Sequence, residues 1–331
     1  MRHSGSWTLL VADPNSLRRD KILRAHVGRP GMQVIGASSL NEAYRQTEAL
    51  LPQKVLLAAE FAQMREFPGL DSLFKMIGTE VVIHGEDSAP PPPPVARPAA
   101  APQPHVPPLA RLERSPRPAS PTRPAIATDP DSAPDLIGIG ASTGGIVAIE
   151  DVLARFPADC PPTLIVQHIR PGFAESVVRR LDGMMAPKVV PAVDGTDLRR
   201  GHVYFAVEPG RHLTVIQRAG LRVRLNNDPE VCGHRPAVDV LFTSLAQLTG
   251  HYKVAGALLT GMGADGAEGM ALLRRGDGFT VAQDKATSIV WGMPQAAIQR
   301  GAASAVLPLD RIAAALLTCK APAAREESGL T

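Results

Sequence analysis

The stretch Gly138-Ile-Gly-Ala-Ser-Thr-Gly-Gly145 decides the fold. It closes an apolar run, Leu136 to Ile139, bounded by Pro134 and the glycines, which is the pattern of a buried parallel strand. From Ile146 to Phe156 apolar residues recur at helical spacing, so Ser142 falls in a strand-to-helix turn. Within that turn Gly140-Ala-Ser-Thr-Gly144 reads G-x-S-x-G, where glycines permit the sharp bend that lifts a serine hydroxyl above the sheet edge. The backbone N–H of Thr143, beside the serine and near a helix N-terminus, is placed to face a developing oxyanion. A dinucleotide fingerprint starting at Gly138 would want glycine where Thr143 stands and an acid where the next strand ends in Gln167-His168. On this segment alone a purely structural tight turn stays open.

Two further segments raise the stakes. After Pro161-Pro162, Thr163 to Val166 form a second strand-like run and deliver His168 to its end, just before Pro171-Gly172. Right-handed crossovers make consecutive strands neighbours and bring their C-terminal ends together, which puts an imidazole near Ser142. His202 and His212 lie in a Gly-punctuated β stretch and His234 precedes Arg235-Pro236, so all three are less well placed. The third segment follows a strand over Val254 to Leu259 with Thr260-Gly-Met-Gly-Ala-Asp-Gly266 and a helix carrying Met270, Leu272 and Leu273. Asp265 at that helix start reads either as an ordinary cap or as the carboxylate that orients His168. The chain order Ser, His, Asp differs from the Ser, Asp, His order of α/β hydrolases, so that fold is not implied.

Taken with Gly233-His-Arg-Pro236 and Asp239, Leu259-Thr-Gly-Met-Gly263, Asp265-Gly-Ala267, Ala282-Gln-Asp284 and Gly292-Met-Pro294, the chain from about Asp135 to Cys319 resembles the catalytic domain of chemotaxis-specific protein-glutamate methylesterases. The resemblance implies Ser142 as nucleophile, His168 as general base and then acid, and Asp265 as orienting carboxylate. It implies that the backbone N–H groups of Thr143 and Met262 receive the oxyanion. The implied reaction is hydrolysis of glutamate γ-methyl esters on the cytoplasmic helices of chemoreceptors, releasing methanol, with glutamine deamidation as a second activity. No metal or organic cofactor is required, and chemosensory histidine kinases or array proteins are further implied partners. Ala237 stands where the family usually carries serine, which puts one local hydrogen bond in doubt. Arg235 reads either as a residue positioning an acidic receptor surface or as a structural arginine bonding loop carbonyls.

Sixteen of the 32 prolines lie between Ala89 and Pro134, so residues 88–134 read as an extended, disordered linker between two folded units, residues 1–87 and 135–331. Its five arginines, Arg97, Arg111, Arg114, Arg117 and Arg123, outnumber its acids, yet a net charge of +3 over 331 residues makes no case for nucleic-acid binding. Cys160, Cys232 and Cys319 have no zinc-ligand spacing. With no membrane-length apolar run and no signal-peptide core after Met1, a cytoplasmic protein without membrane insertion, recruited to receptor arrays, is expected.

From Trp7 to Ile83 short strands alternate with helices, as in a small parallel α/β unit. It resembles the response-regulator receiver that precedes the esterase in this family, in degenerate form: Ala12 replaces one acid beside Asp13, and Ala58 occupies the phosphoacceptor position. The last receiver strand and helix, with their switch lysine, are expected to be missing. An alanine cannot accept a phosphoryl group, and one acid is a poor Mg²⁺ site. The expected architecture is α/β: a truncated receiver-like unit, a Pro-rich linker, and a doubly wound, mainly parallel-sheet catalytic domain with its site at the C-terminal strand ends. A β-hairpin region is expected over Gly201 to Leu225. A non-catalytic array adaptor that binds receptors is the alternative reading, and a general small-ester hydrolase a third.

Overall fold

The computed structural model describes residues 7–29, 31–64, 67–85, 133–169 and 172–321. Nearly all of the expected linker lies outside the described residues, as would any fifth receiver strand within it.

The N-terminal unit runs β1 (Trp7–Ala12), α1 (Ser16–His26), β2 (Met32–Ala37), α2 (Leu40–Leu50), β3 (Lys54–Ala58), α3 (Ala59–Ala62), α4 (Phe67–Ile77) and β4 (Glu80–His84). Its four strands are parallel in the order β2-β1-β3-β4, the first four positions of a flavodoxin-like sheet. Helix starts follow from the residues before them: Asn15 accepts from the Arg18 N–H, and Ser39 accepts from the Glu42 N–H. Leu10, Ala12, Val55 and Leu57 face a core with Tyr44, Leu70 and Phe74, while Leu9, Val11 and Leu56 meet α1 on the other face. Asp13, at the C-terminal end of β1, is fully buried. Both of its carboxylate oxygens accept from the Arg18 guanidinium, whose Nη2 also reaches Glu60 Oε1 at 2.6 Å. His84 Nε2 stands 3.7 Å from the same carboxylate, and burial keeps its imidazole below the usual pKa. The Arg18 guanidinium therefore bridges Asp13 and Glu60 at the C-terminal edge of this sheet.

The second unit runs β5 (Leu136–Ala141), α5 (Gly145–Leu153), β6 (Thr163–Gln167), α6 (Ala174–Met184), β7 (Lys188–Pro191), β8 (His202–Phe205), β9 (His212–Gln217), β10 (Leu221–Asn226) and α7 (Val238–Ala246). It continues with β11 (Val254–Leu258), α8 (Ala267–Arg275), β12 (Phe279–Gln283), α9 (Met293–Gln299), β13 (Ala305–Leu307) and α10 (Leu309–Thr318). Seven parallel strands lie in the order β13-β12-β11-β5-β6-β8-β7, while β9 and β10 form a separate antiparallel hairpin. The chain winds outward from β5 on one side and returns at β11 on the other. The crevice between these two strands is the switch point where open parallel sheets place their sites.

Alternation along β5 explains its glycines. Ile137, Ile139 and Ala141 point into the core shared with α5 and α10, whereas Gly138 and Gly140 face α7. A Cβ on Gly138 would stand 2.4 Å from Leu245 Cδ1, and one on Gly140 only 2.1 Å from Val238 Cγ1. The helix thus lies directly on the strand backbone. Ile289 of this unit packs against the N-terminal core, and Arg45 Nη1 lies 4.0 Å from Met262 Sδ. Among the described residues no helix is long and apolar enough to cross a membrane.

Two expectations follow. Gly140→Ala should overpack this joint and cost about 1–3 kcal/mol, visible as a lower thermal midpoint; an unchanged midpoint would contradict the packing. Incubation of the full chain with acetyl phosphate and Mg²⁺ should add no phosphoryl group to the N-terminal unit by intact and peptide mass, and an acyl phosphate there would refute the reading of Ala58 and Arg18.

Candidate active site

Three neighbouring strands, β11-β5-β6, each deliver one side chain to the same rim. Ser142 follows β5 in a tight turn closed by the Gly145 N–H donating to the Ser142 carbonyl at 2.7 Å, and Gly144 takes the positive φ (80°) that the turn needs. His168 follows β6, its N–H donating to the Ala141 carbonyl at 3.0 Å. Asp265 precedes α8.

Asp265 is 1% exposed and its Oδ2 lies 2.8 Å from His168 Nε2. With the carboxylate ionised, Nε2 carries the hydrogen and donates. His168 Nδ1 is buried without a hydrogen-bond partner among the described residues, which leaves its lone pair as the basic one. Asp265 also accepts from the Val238 N–H (2.7 Å) and the Asp239 N–H (2.9 Å), the first amides of α7. Burial alone would raise this carboxyl, but the hydrogen bonds from His168, Asp239 and Val238 outweigh it and hold it below the usual carboxylate range.

Gln167 ties the Ser142 turn to the end of β6. Its Nε2 donates to both the Ser142 carbonyl (2.8 Å) and the His168 carbonyl (2.9 Å), so one buried amide fixes the two strand ends. A Cβ on Gly145 would stand 2.0 Å from Gln167 Oε1, which explains the second glycine of the pair. On the other side the Ser142 N–H donates to the Thr260 carbonyl at 3.0 Å, and Thr260 Oγ1 donates to the Thr143 carbonyl at 2.9 Å. A Cβ on Gly261 would touch Ser142 Cβ at 2.8 Å, so the peptide leading into Met262 runs against the serine. Among the described residues, the N–H groups of Thr143 and Met262 donate to no protein acceptor.

His234, set aside from sequence order, lies flat on His168 with ring centroids 3.7 Å apart and 12° between planes. Burial first, then the neighbouring His168, keeps its imidazole below the usual pKa. No local pattern announced it, because the contact depends on where the loop beyond Asn226 returns. His212 is buried between the Pro229 carbonyl and the Ala237 N–H, a structural place. Arg235 donates to the carbonyls of Asn227 and Asp228, which favours the structural of its two readings. Ala237, the N-cap position of α7, has no side chain to cap it, and Asp265 supplies that function from outside the helix. Cys232 Sγ and the carboxylates of Asp239 and Asp265 come within 4.8 Å of one another, a set that could meet a metal ion, but both acids are already committed to protein donors.

A family model described as CheB methylesterase matches residues 137–316. A protein-glutamate methylesterase/protein-glutamine glutaminase 2 of Pseudomonas aeruginosa is 48% identical over 212 residues, 63% of this chain and 59% of that protein, so the match spans less than two thirds of its length. A protein-glutamate methylesterase/protein-glutamine glutaminase of Agrobacterium fabrum is 35% identical over 96% of this chain and 97% of its own. The crystal structure of the Thermotoga maritima CheB methylesterase catalytic domain aligns with a TM-score of 0.52 at 34% identity, over 55% of this chain and 96% of that one.

Asp265→Ala should cost stability as well as activity, since it leaves two amides of α7 without an acceptor, a loss of about 1–3 kcal/mol. Because the folded carboxyl titrates below its unfolded value, this contribution is present above about pH 4 and is lost as pH falls through the lower folded value. Melting curves from pH 6 to pH 2 should therefore show the wild-type advantage over Asp265→Ala shrinking toward the acid end; a constant gap would refute it.

Proposed function

The chain belongs to the CheB methylesterase family, and on that premise we propose that it hydrolyses glutamate γ-methyl esters on the cytoplasmic helices of chemoreceptors. The observation that carries this reading is the Asp265–His168 bond through Nε2, which leaves Nδ1 without a protein partner on the strand end next to the one that carries Ser142. In the proposed reaction Nδ1 takes the Ser142 proton as Oγ attacks the ester carbonyl, and Asp265 stabilises the imidazolium without taking a proton. The N–H groups of Thr143, at the start of α5, and Met262 receive the oxyanion. The same imidazolium protonates departing methoxide, and neutral His168 then activates the water that frees the acyl-serine as glutamate. Glutamine presents the same tetrahedral intermediate with ammonia as the leaving group, so deamidation belongs to the same proposal.

An open rim suits a side chain carried on a protein: Ser142 is partly exposed and Met262 is 56% exposed. Residues 135–331 are proposed as the catalytic domain, 1–87 as a degenerate receiver-like unit, and 88–134 as the connecting linker. Recruitment to receptor arrays, and contacts with their kinase or scaffold proteins, belong to the same proposal.

The test is methanol release from methylated receptor signalling domains. The full chain should release methanol and Ser142→Ala should lose at least about 10³-fold of the rate, the scale seen when a triad nucleophile is removed. Equal release from both proteins would end the serine-esterase reading.

A further inference from the structure

Helices α7 and α8 start without side-chain caps of their own, from Ala237 and Gly266. Each is capped by an acid from the other. Asp265, just before α8, accepts the first two amides of α7, and Asp239, in the first turn of α7, returns its carboxylate to α8, where Oδ1 accepts the Gly269 N–H at 2.7 Å. Its Oδ2 accepts the Cys232 thiol at 3.7 Å. The joint is close enough that a Cβ on Gly269 would meet the Asp239 carbonyl at 2.5 Å. Asp239 is 8% exposed and, among the described residues, makes no hydrogen bond to Ser142 or His168, so its link to them runs through Asp265.

We propose that Asp239 is a positioning residue of this esterase: by holding the start of α8 against α7, it fixes Asp265 so that Oδ2 stays in line with His168 Nε2. The inference rests on the esterase reading above. Both of its bonds matter, because the Asp239 N–H holds Asp265 Oδ1 while its carboxylate holds the helix on which Asp265 rides. Burial, with the Asp265 charge nearby, raises the Asp239 carboxyl above its usual range, a cost that the Gly269 bond offsets in part.

The experiment uses the full chain with Asp239→Ala, Asp239→Ser and Asp239→Asn. Two rates are read, methanol release with kcat and KM separated, and labelling of Ser142 by a fluorophosphonate, which reports nucleophile activation without any receptor. Alanine removes the bridge and serine is too short to span it, so both should lower kcat and the labelling rate about 10–100-fold with KM within twofold. Asparagine keeps an acceptor for the Gly269 N–H and should restore both rates to within about threefold of wild type. If alanine does not fold, serine carries the same expectation. Wild-type rates in alanine or serine, or asparagine as impaired as serine, would overturn the proposal. Wild type that labels but releases no methanol would overturn the esterase reading while leaving the labelling comparison to decide on Asp239.

Discussion

One carboxylate with three donors holds the second unit's working end together. Asp265 takes the imidazole N–H of His168 and the first two amides of α7, so the group that holds the imidazole also caps a helix. A buried carboxylate without such partners would be driven to take up a proton. Here the donors, two of them at the positive end of a helix, keep it ionised and fix its plane. The placing of the imidazole and the packing of the helix are therefore a single constraint.

The close approach of α7 to β5 is the other half of that constraint. The helix can reach Asp265 only because Gly138 and Gly140 leave the facing side of the strand bare, while Ile137 and Ile139 fill the opposite core. Along the rim, Gln167, Thr260 and Gln283 are each 0–1% exposed and tie neighbouring strand ends through side-chain hydrogen bonds. Buried polar side chains at strand ends are costly unless satisfied, and these bonds, which leave only Gln167 Oε1 of the three side chains unpartnered, hold the turns after β5, β6 and β11.

Much of this was legible in the sequence because it is written locally. Apolar runs of four to six residues give the strands, and the turns that follow them give Ser142, His168 and Asp265 in adjacent positions. Sequence offered Asp265 as either a cap or a catalytic acid, and the structure shows it capping α7 while bonding His168; the cap goes to a different helix from the one it precedes. That pairing is invisible to spacing, since it joins residues 27 positions apart across a helix joint. His234 was passed over for the same reason: a flat stack between loops 66 positions apart has no periodic signature. The short α3 was also unread, because four residues directly after β3 give no helical period to detect.

At the other end of the chain, the Arg18 guanidinium bonds both carboxylate oxygens of Asp13, and the neighbouring strand ends in Ala58. A phosphoryl mark is informative because it has a lifetime: it is written, read and erased. A guanidinium supplied by the gene has none. The charge beside Asp13 is thus written into the sequence rather than added and removed by a phosphoryl group.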